Sequence, residues 1–87
     1  EFGWTTANQA SGYEYGADVS EQDQADYLVG AFKWAQENWP WARGMFVWNL
    51  NYSVITPPED EKHPWSVLNA DWSPRPAYEA LRDMPKP

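Results

Sequence analysis

The apolar residues of this chain fall into two patterns, a helical stripe and an almost unbroken run. Leu28, Ala31, Phe32 and Ala35 follow the i, i+3, i+4, i+7 spacing of a helix with one buried side. Gln24, Lys33 and Glu37 fall on the side left to water. Ser20 stands where an N-cap belongs, and Asp23, at the third helical position, is a shorter relative of the capping-box glutamate. Glu21 suits the positive end of the helix dipole. Pro40 closes the element, so the spacing predicts a helix from about 21 to 38. Gly30 within it costs about 1 kcal/mol relative to alanine and marks an expected close contact between helix and sheet.

The run from Gly44 to Leu50 matches a strand covered on both faces better than one alternating between core and water, which is the signature of a parallel sheet. Residues 1 to 4 read as the end of an earlier strand. The next sixteen, with Gly12, Gly16, Tyr13 and Tyr15, read as a loop. A second loop of about 22 residues, 51 to 72, has the charged, proline-rich centre Pro57 to Pro64; loops of this length are usually functional or mobile. Ser73 is then the expected N-cap of a last helix, with Pro74 in its first turn and Ala77, Leu81 and Met84 on one face, before Pro85 stops it. The order strand, helix, strand, helix predicts an α/β architecture of two consecutive βα units.

Charge and composition narrow the partners. The 87 residues carry 13 acidic and 6 basic side chains, a formal charge of −7, and the acids are spread over loops and helix faces. Nucleic acid and anionic membranes are poor partners for such a surface. No apolar run approaches the roughly 20 residues of a membrane span, and no signal-type segment opens the chain. Without cysteine there is neither a disulfide framework nor a thiolate metal site, and the compartment stays open, an extracellular one included. Aromatic residues are the outlier at 17%, with seven Trp, five Tyr and three Phe. They either fill a small core with large side chains or form flat faces for the C–H surfaces of sugar rings.

Taken together, Glu1-Phe2-Gly3-Trp4, Phe46-Val47-Trp48-Asn49 and Ser73-Pro74-Arg75-Pro76-Ala77-Tyr78 resemble the C-terminal part of retaining glycoside hydrolases with an eight-fold (β/α) barrel. The nearest likeness is to the clan that contains cellulases, family 5 enzymes and family 39 β-xylosidases. The resemblance spans essentially all 87 residues, so residues 1–87 are expected to be the last quarter of such a TIM barrel: the end of strand 7, helix 7, strand 8 and helix 8. It implies that Glu1 is the nucleophile, that Trp48 floors the subsite of the cleaved sugar, and that a non-proline cis peptide follows Trp48. The clan's acid/base glutamate, which follows an asparagine, has no counterpart here: Glu37-Asn38 has the reverse order and lies on a predicted helix. The resemblance therefore implies a carbohydrate substrate and a partner, either the missing barrel segment or further copies of the chain.

The chemistry expected of these residues is hydrolysis of β-linked oligo- or polysaccharide with retention, in which one carboxylate attacks the anomeric carbon and a second carboxyl protonates the leaving oxygen. Glu1 is the expected attacker. Alternatively, Glu1-Phe2 is only a chain end or an expression scar. Trp4, Tyr15 and Trp65, on predicted loops, are candidates for extending the sugar platform, as are Tyr13 and Trp72. Asn49 is a candidate ligand of sugar hydroxyls, although asparagines after strands often serve loop backbone instead. Trp34, Trp39 and Trp41 are expected to pack around the helix end. No metal or other cofactor is expected: His63 is the single histidine, and Glu59, Asp60 and Glu61 lack the glycine and spacing of a calcium loop. The competing readings are a non-catalytic carbohydrate-binding module, in which the aromatics act without Glu1, and a purely structural fragment.

Overall fold

A computed structural model describes residues 1–86. Its first long element is the expected one: helix α1, Glu21–Asn38, begins with a complete capping box. The Ser20 hydroxyl accepts from the Asp23 amide at 3.0 Å, and the Asp23 carboxylate accepts from the Ser20 amide at 3.0 Å. Two orphan donors of the first turn are thereby satisfied at the acid-favouring end of the dipole. Helix α2, Pro76–Asp83, starts later than the expected Ser73 cap. Pro76, not Pro74, takes the first-turn position, because Pro74 is held in an antiparallel bridge with Leu68. The Ser73 hydroxyl instead donates to Asp71, closing the turn that precedes the helix.

The expected α/β architecture, two βα units forming the last quarter of a barrel, does not form. Among the described residues there are two α-helices and no sheet, and strand-like pairing is confined to two isolated bridges. One is parallel and joins Phe2 to Val47, with Phe2 N donating to Phe46 O at 3.0 Å and Trp48 N to Phe2 O at 2.7 Å. A strand exists through a ladder of such bonds, and here the ladder stops after one rung. Beyond Trp48 the main chain turns to another partner, Asn49 N donating to Trp65 O and Val67 N to Asn49 O. The apolar run is not covered on both faces either, since Phe46 is 71% and Leu50 58% exposed.

The core lies where the two helices meet the loop after residue 50. Ala25 and Leu28 from α1, Ala77 from α2 and Val67 from the loop are buried together, with Phe2, Trp4, Val47, Ala80 and Leu81 packed around them. The loop is thus not a structureless connection. It contains two short 3₁₀ turns, Tyr52–Val54 and His63–Trp65, and buries Ser53, Pro64, Ser66, Val67 and Leu68. Gly30, expected to touch a sheet, faces open space.

Irregular backbone in a core needs partners for its N–H and C=O groups. Side chains supply many of them here. Gln24, assigned to water by its place on the helix, is fully buried, and its amide donates to Trp4 O at 2.9 Å and Trp65 O at 3.3 Å. Arg75 is buried just before α2. Its guanidinium donates to Ser66 O, to Ser53 Oγ and to Asn69 Oδ1 at 3.0–3.1 Å, and lies 3.8 Å from Glu21 Oε1 at the start of α1. Burial pulls the Arg75 pKa down while the Glu21 charge opposes that shift. Among the described residues, no helix is long and apolar enough to cross a membrane.

Gln24→Leu keeps the volume of the side chain, takes the Gln24 donor from the Trp4 carbonyl and leaves Trp65 O with Asn49 N alone. It should destabilise the fold by about 1–3 kcal/mol, read as a lower urea midpoint at unchanged slope; an unaltered midpoint would remove this amide from the interactions that hold the core.

Candidate functional site

The parallel bridge brings the first residues beside Trp48. Gly3 permits the approach: a Cβ there would collide with the Trp48 carbonyl and crowd the Trp65 ring. Glu1 and Trp48 consequently line one cleft of about 540 Å³, within the about 300–1,000 Å³ usual for small-molecule sites. The Trp48 ring is steadied by Tyr52, their centroids 4.9 Å apart, and the Trp48–Asn49 peptide is cis, as the resemblance implied.

Trp65 forms another part of the wall. It ends the His63–Trp65 turn, which Asn49 anchors from below. The Asn49 amide donates to Lys62 O at 3.0 Å, and its oxygen accepts from Tyr52 N and Ser66 Oγ, both at 3.0 Å. Asn49 is buried, with both ends of its amide engaged by the loop. The structure places it under the cleft, not in its lining, and gives it the role of fastening Trp48 to Trp65.

Tyr13, which precedes the 3₁₀ turn Glu14–Gly16, and Tyr15, within it, complete the aromatic wall. Tyr13 meets Trp65 edge to face at 6.4 Å and Tyr15 at 5.9 Å. Of the aromatic candidates, Tyr13, Tyr15, Trp48 and Trp65 therefore share the cleft with Glu1. Trp4 does not: it packs on the core beside Phe2 and Tyr27, with centroids 6.2 and 5.5 Å away. Trp72 is likewise outside the lining and exposed. Trp34 meets Trp39 edge to face at 5.0 Å and Trp39 lies tilted against Trp41 at 5.3 Å at the far end of α1, yet the three stay 52%, 40% and 70% exposed. They pack with each other at the surface and cover little else.

Glu61, which the sequence suggests only as one of three loop acids lacking a calcium-loop pattern, also lines the cleft. Its main chain is fixed by Asn8, whose buried amide donates to Glu61 O at 2.8 Å. Its side chain lies 3.6 Å from Lys62 Nζ, which is closer to Asp60 at 3.2 Å. The turn is set by the Asp60 carboxylate, which accepts from Lys62 N at 2.9 Å; that bond, with the Lys62 charge, holds the Asp60 pKa below its ordinary value. Glu61 in turn raises the pKa of Tyr13, first through its negative charge, with desolvation of the phenol adding to the effect. The only warning in the sequence was that the acidic run lies in a loop long enough to fold back over a site. His63 is occupied with loop backbone, its Nδ1 within 3.1 Å of Thr56 O, and no group of metal-ligating side chains assembles among the described residues.

The cleft therefore presents carboxylate oxygens between aromatic faces. Such a surface accepts hydrogen bonds from hydroxyls and packs against C–H groups. Comparison with family models, with curated proteins and with solved structures finds no match to this chain.

The Tyr13–Glu61 pairing has a direct optical readout. Glu61→Gln should bring the Tyr13 phenol down toward the ordinary value of about 10, seen in the tyrosinate absorbance difference between a protein with Tyr13 and the same protein carrying Tyr13→Phe. An unmoved titration would place the two side chains apart.

Proposed function

We propose that this chain contributes the nucleophile and the aromatic sugar platform of a retaining glycoside hydrolase acting on β-linked oligo- or polysaccharides. The supporting observation is that Glu1 and Trp48, separated by 46 intervening residues, line the same cleft, with Trp65 and Tyr15 beside them. The resemblance named these two residues for the same two roles.

In this reading the Trp48 indole packs under the C–H face of the sugar and fixes its anomeric carbon near Glu1. The ionised Glu1 carboxylate attacks that carbon as the glycosidic C–O bond breaks, giving a glycosyl ester. The leaving oxygen takes a proton from a carboxylic acid, and the same group, now a base, removes a proton from the water that hydrolyses the ester and frees Glu1. That proton-transferring carboxyl is assigned to a partner polypeptide, since the sequence has no Asn-Glu pair of the expected kind. Glu1 is exposed at the cleft, as a group that meets substrate must be.

A second reading, a carbohydrate-binding module, is favoured by the aromatic lining itself, which needs no partner to stack on a sugar. Two variants separate the readings. In a complex with a polypeptide that carries the acid/base carboxyl, Glu1→Gln should lower hydrolysis of an aryl β-glycoside by at least about a thousandfold, while Trp48→Ala should weaken oligosaccharide binding by about tenfold or more. An unchanged rate in Glu1→Gln removes the nucleophile. Oligosaccharide binding by the chain alone that depends on Trp48 and not on Glu1, in the absence of any Glu1-dependent hydrolysis, establishes the binding module instead.

A further inference from the structure

The cleft contains a second carboxylate that the proposed reaction does not use. Glu61 and Glu1 both line it, and no lysine or arginine does. The side-chain cation beside Glu61, Lys62, is shared: it lies 3.2 Å from Asp60 and 3.6 Å from Glu61, so two carboxylates meet one ammonium and one negative charge of that turn is left uncompensated. Hydrogen bonding to Asp60 leads the causes that raise the Lys62 pKa, which ties the cation first to the acid outside the lining. Arg75, the buried cation of the fold, is committed to Ser66, Ser53, Asn69 and Glu21. The chain as a whole carries a formal charge of −7.

Glu61 is also held in place. Asn8 fixes its carbonyl, the Asp60–Lys62 turn fixes the backbone on either side, and the Tyr13 ring that adjoins its carboxylate rests on Trp65. An anchored acceptor beside an aromatic wall discriminates among ligands by what they present to it, because a mismatched group leaves a desolvated charge without a partner. A neutral sugar offers hydroxyl donors. A sugar with a free amine offers a charged donor and satisfies the uncompensated carboxylate, whereas N-acetylation removes that charge and a uronic acid adds a repelling one.

Resting on the reading of this cleft as a sugar site, we infer that Glu61 is a specificity-determining residue that selects amino sugars bearing a free amine over their N-acetylated, neutral and acidic counterparts.

The test uses four probes on the chain: the glucosamine tetramer, its fully N-acetylated form, cellotetraose, and a glucuronate-containing tetramer. Binding is followed by calorimetry at low salt and mildly acidic pH, where amines are protonated and carboxylates ionised. The wild-type protein should bind the glucosamine tetramer about five- to tenfold more tightly than cellotetraose and the glucuronate probe most weakly. Glu61→Gln should erase that difference and leave cellotetraose affinity unchanged. Lys62→Gln, which removes the competing cation, should widen it. Glu79→Gln, a charge change on the exposed side of α2, controls for the overall field and should alter nothing. Equal affinities in the wild type, a preference that survives Glu61→Gln, or one that falls equally in Glu79→Gln would overturn the inference while leaving the sugar site standing. Failure of all four probes to bind would overturn the sugar-site reading and this inference together.

Discussion

Buried main-chain groups must be hydrogen-bonded, and a core built mostly from irregular segments has no ladder to do it. That constraint organises this protein. The segments at 1–8, 49–54 and 61–69 bury Thr6, Asn8, Asn49 and Ser53, whose side chains bond backbone that a sheet would otherwise have paired, and Thr5 and Ser66, which in turn bond the side chains of Asn8 and Asn49. Thr6 Oγ1 donates to Pro64 O, Ser53 Oγ to Leu68 O, and the Asn51 amide to Asn69 O. Gln24 carries the same function into the helix, bonding both the first segment and the loop. Apolar contacts among Leu28, Val67 and Ala77 supply cohesion, and the polar bonds decide which segments lie together.

Arg75 extends this logic to a charge. A buried guanidinium is costly unless its donors are matched, and here three groups accept from it, with Glu21 as counter-charge at the positive end of α1. The starts of α1 and α2 are thereby tied to the same loop that carries Trp65 and Glu61. The cleft inherits its shape from that tie. Asn49 fixes the Trp48–Trp65 wall from beneath, Asn8 fixes Glu61, and the missing Cβ at Gly3 lets the Glu1 segment close against both tryptophans.

What could be seen in the sequence follows from which physics is local. Helix α1 was legible, cap included, because Ser20, Asp23 and the Leu28–Ala35 spacing act within a few residues. Gln24 was misplaced because hydropathy assigns an amide to water, and nothing nearby in the chain reveals two carbonyls 20 and 41 positions away. The run ending at Leu50 was read as a covered strand because apolar composition reports a tendency to be buried, not the existence of neighbouring strands. The start of α2 was ambiguous between two prolines, and only the Leu68–Pro74 bridge selects Pro76. In the cleft, Glu1, Trp48, Tyr15 and Trp65 could be nominated in advance. Glu61 could not, since an acid in a charged loop looks solvated until the loop is seen to fold back on Tyr13.

A protein stitched by carboxamides has a chemical lifetime as well as a thermodynamic one. Asparagine and glutamine are thermolabile, and deamidation exchanges a donating NH₂ for an anionic oxygen. At Asn8, Gln24 and Asn49 that oxygen would face a carbonyl that had been accepting a hydrogen bond, so hydrolysis of one amide turns attraction into repulsion inside the core. Hydrolysis of the Asn8 or Asn49 amide would therefore loosen the walls of the cleft while leaving the capping box of α1 untouched.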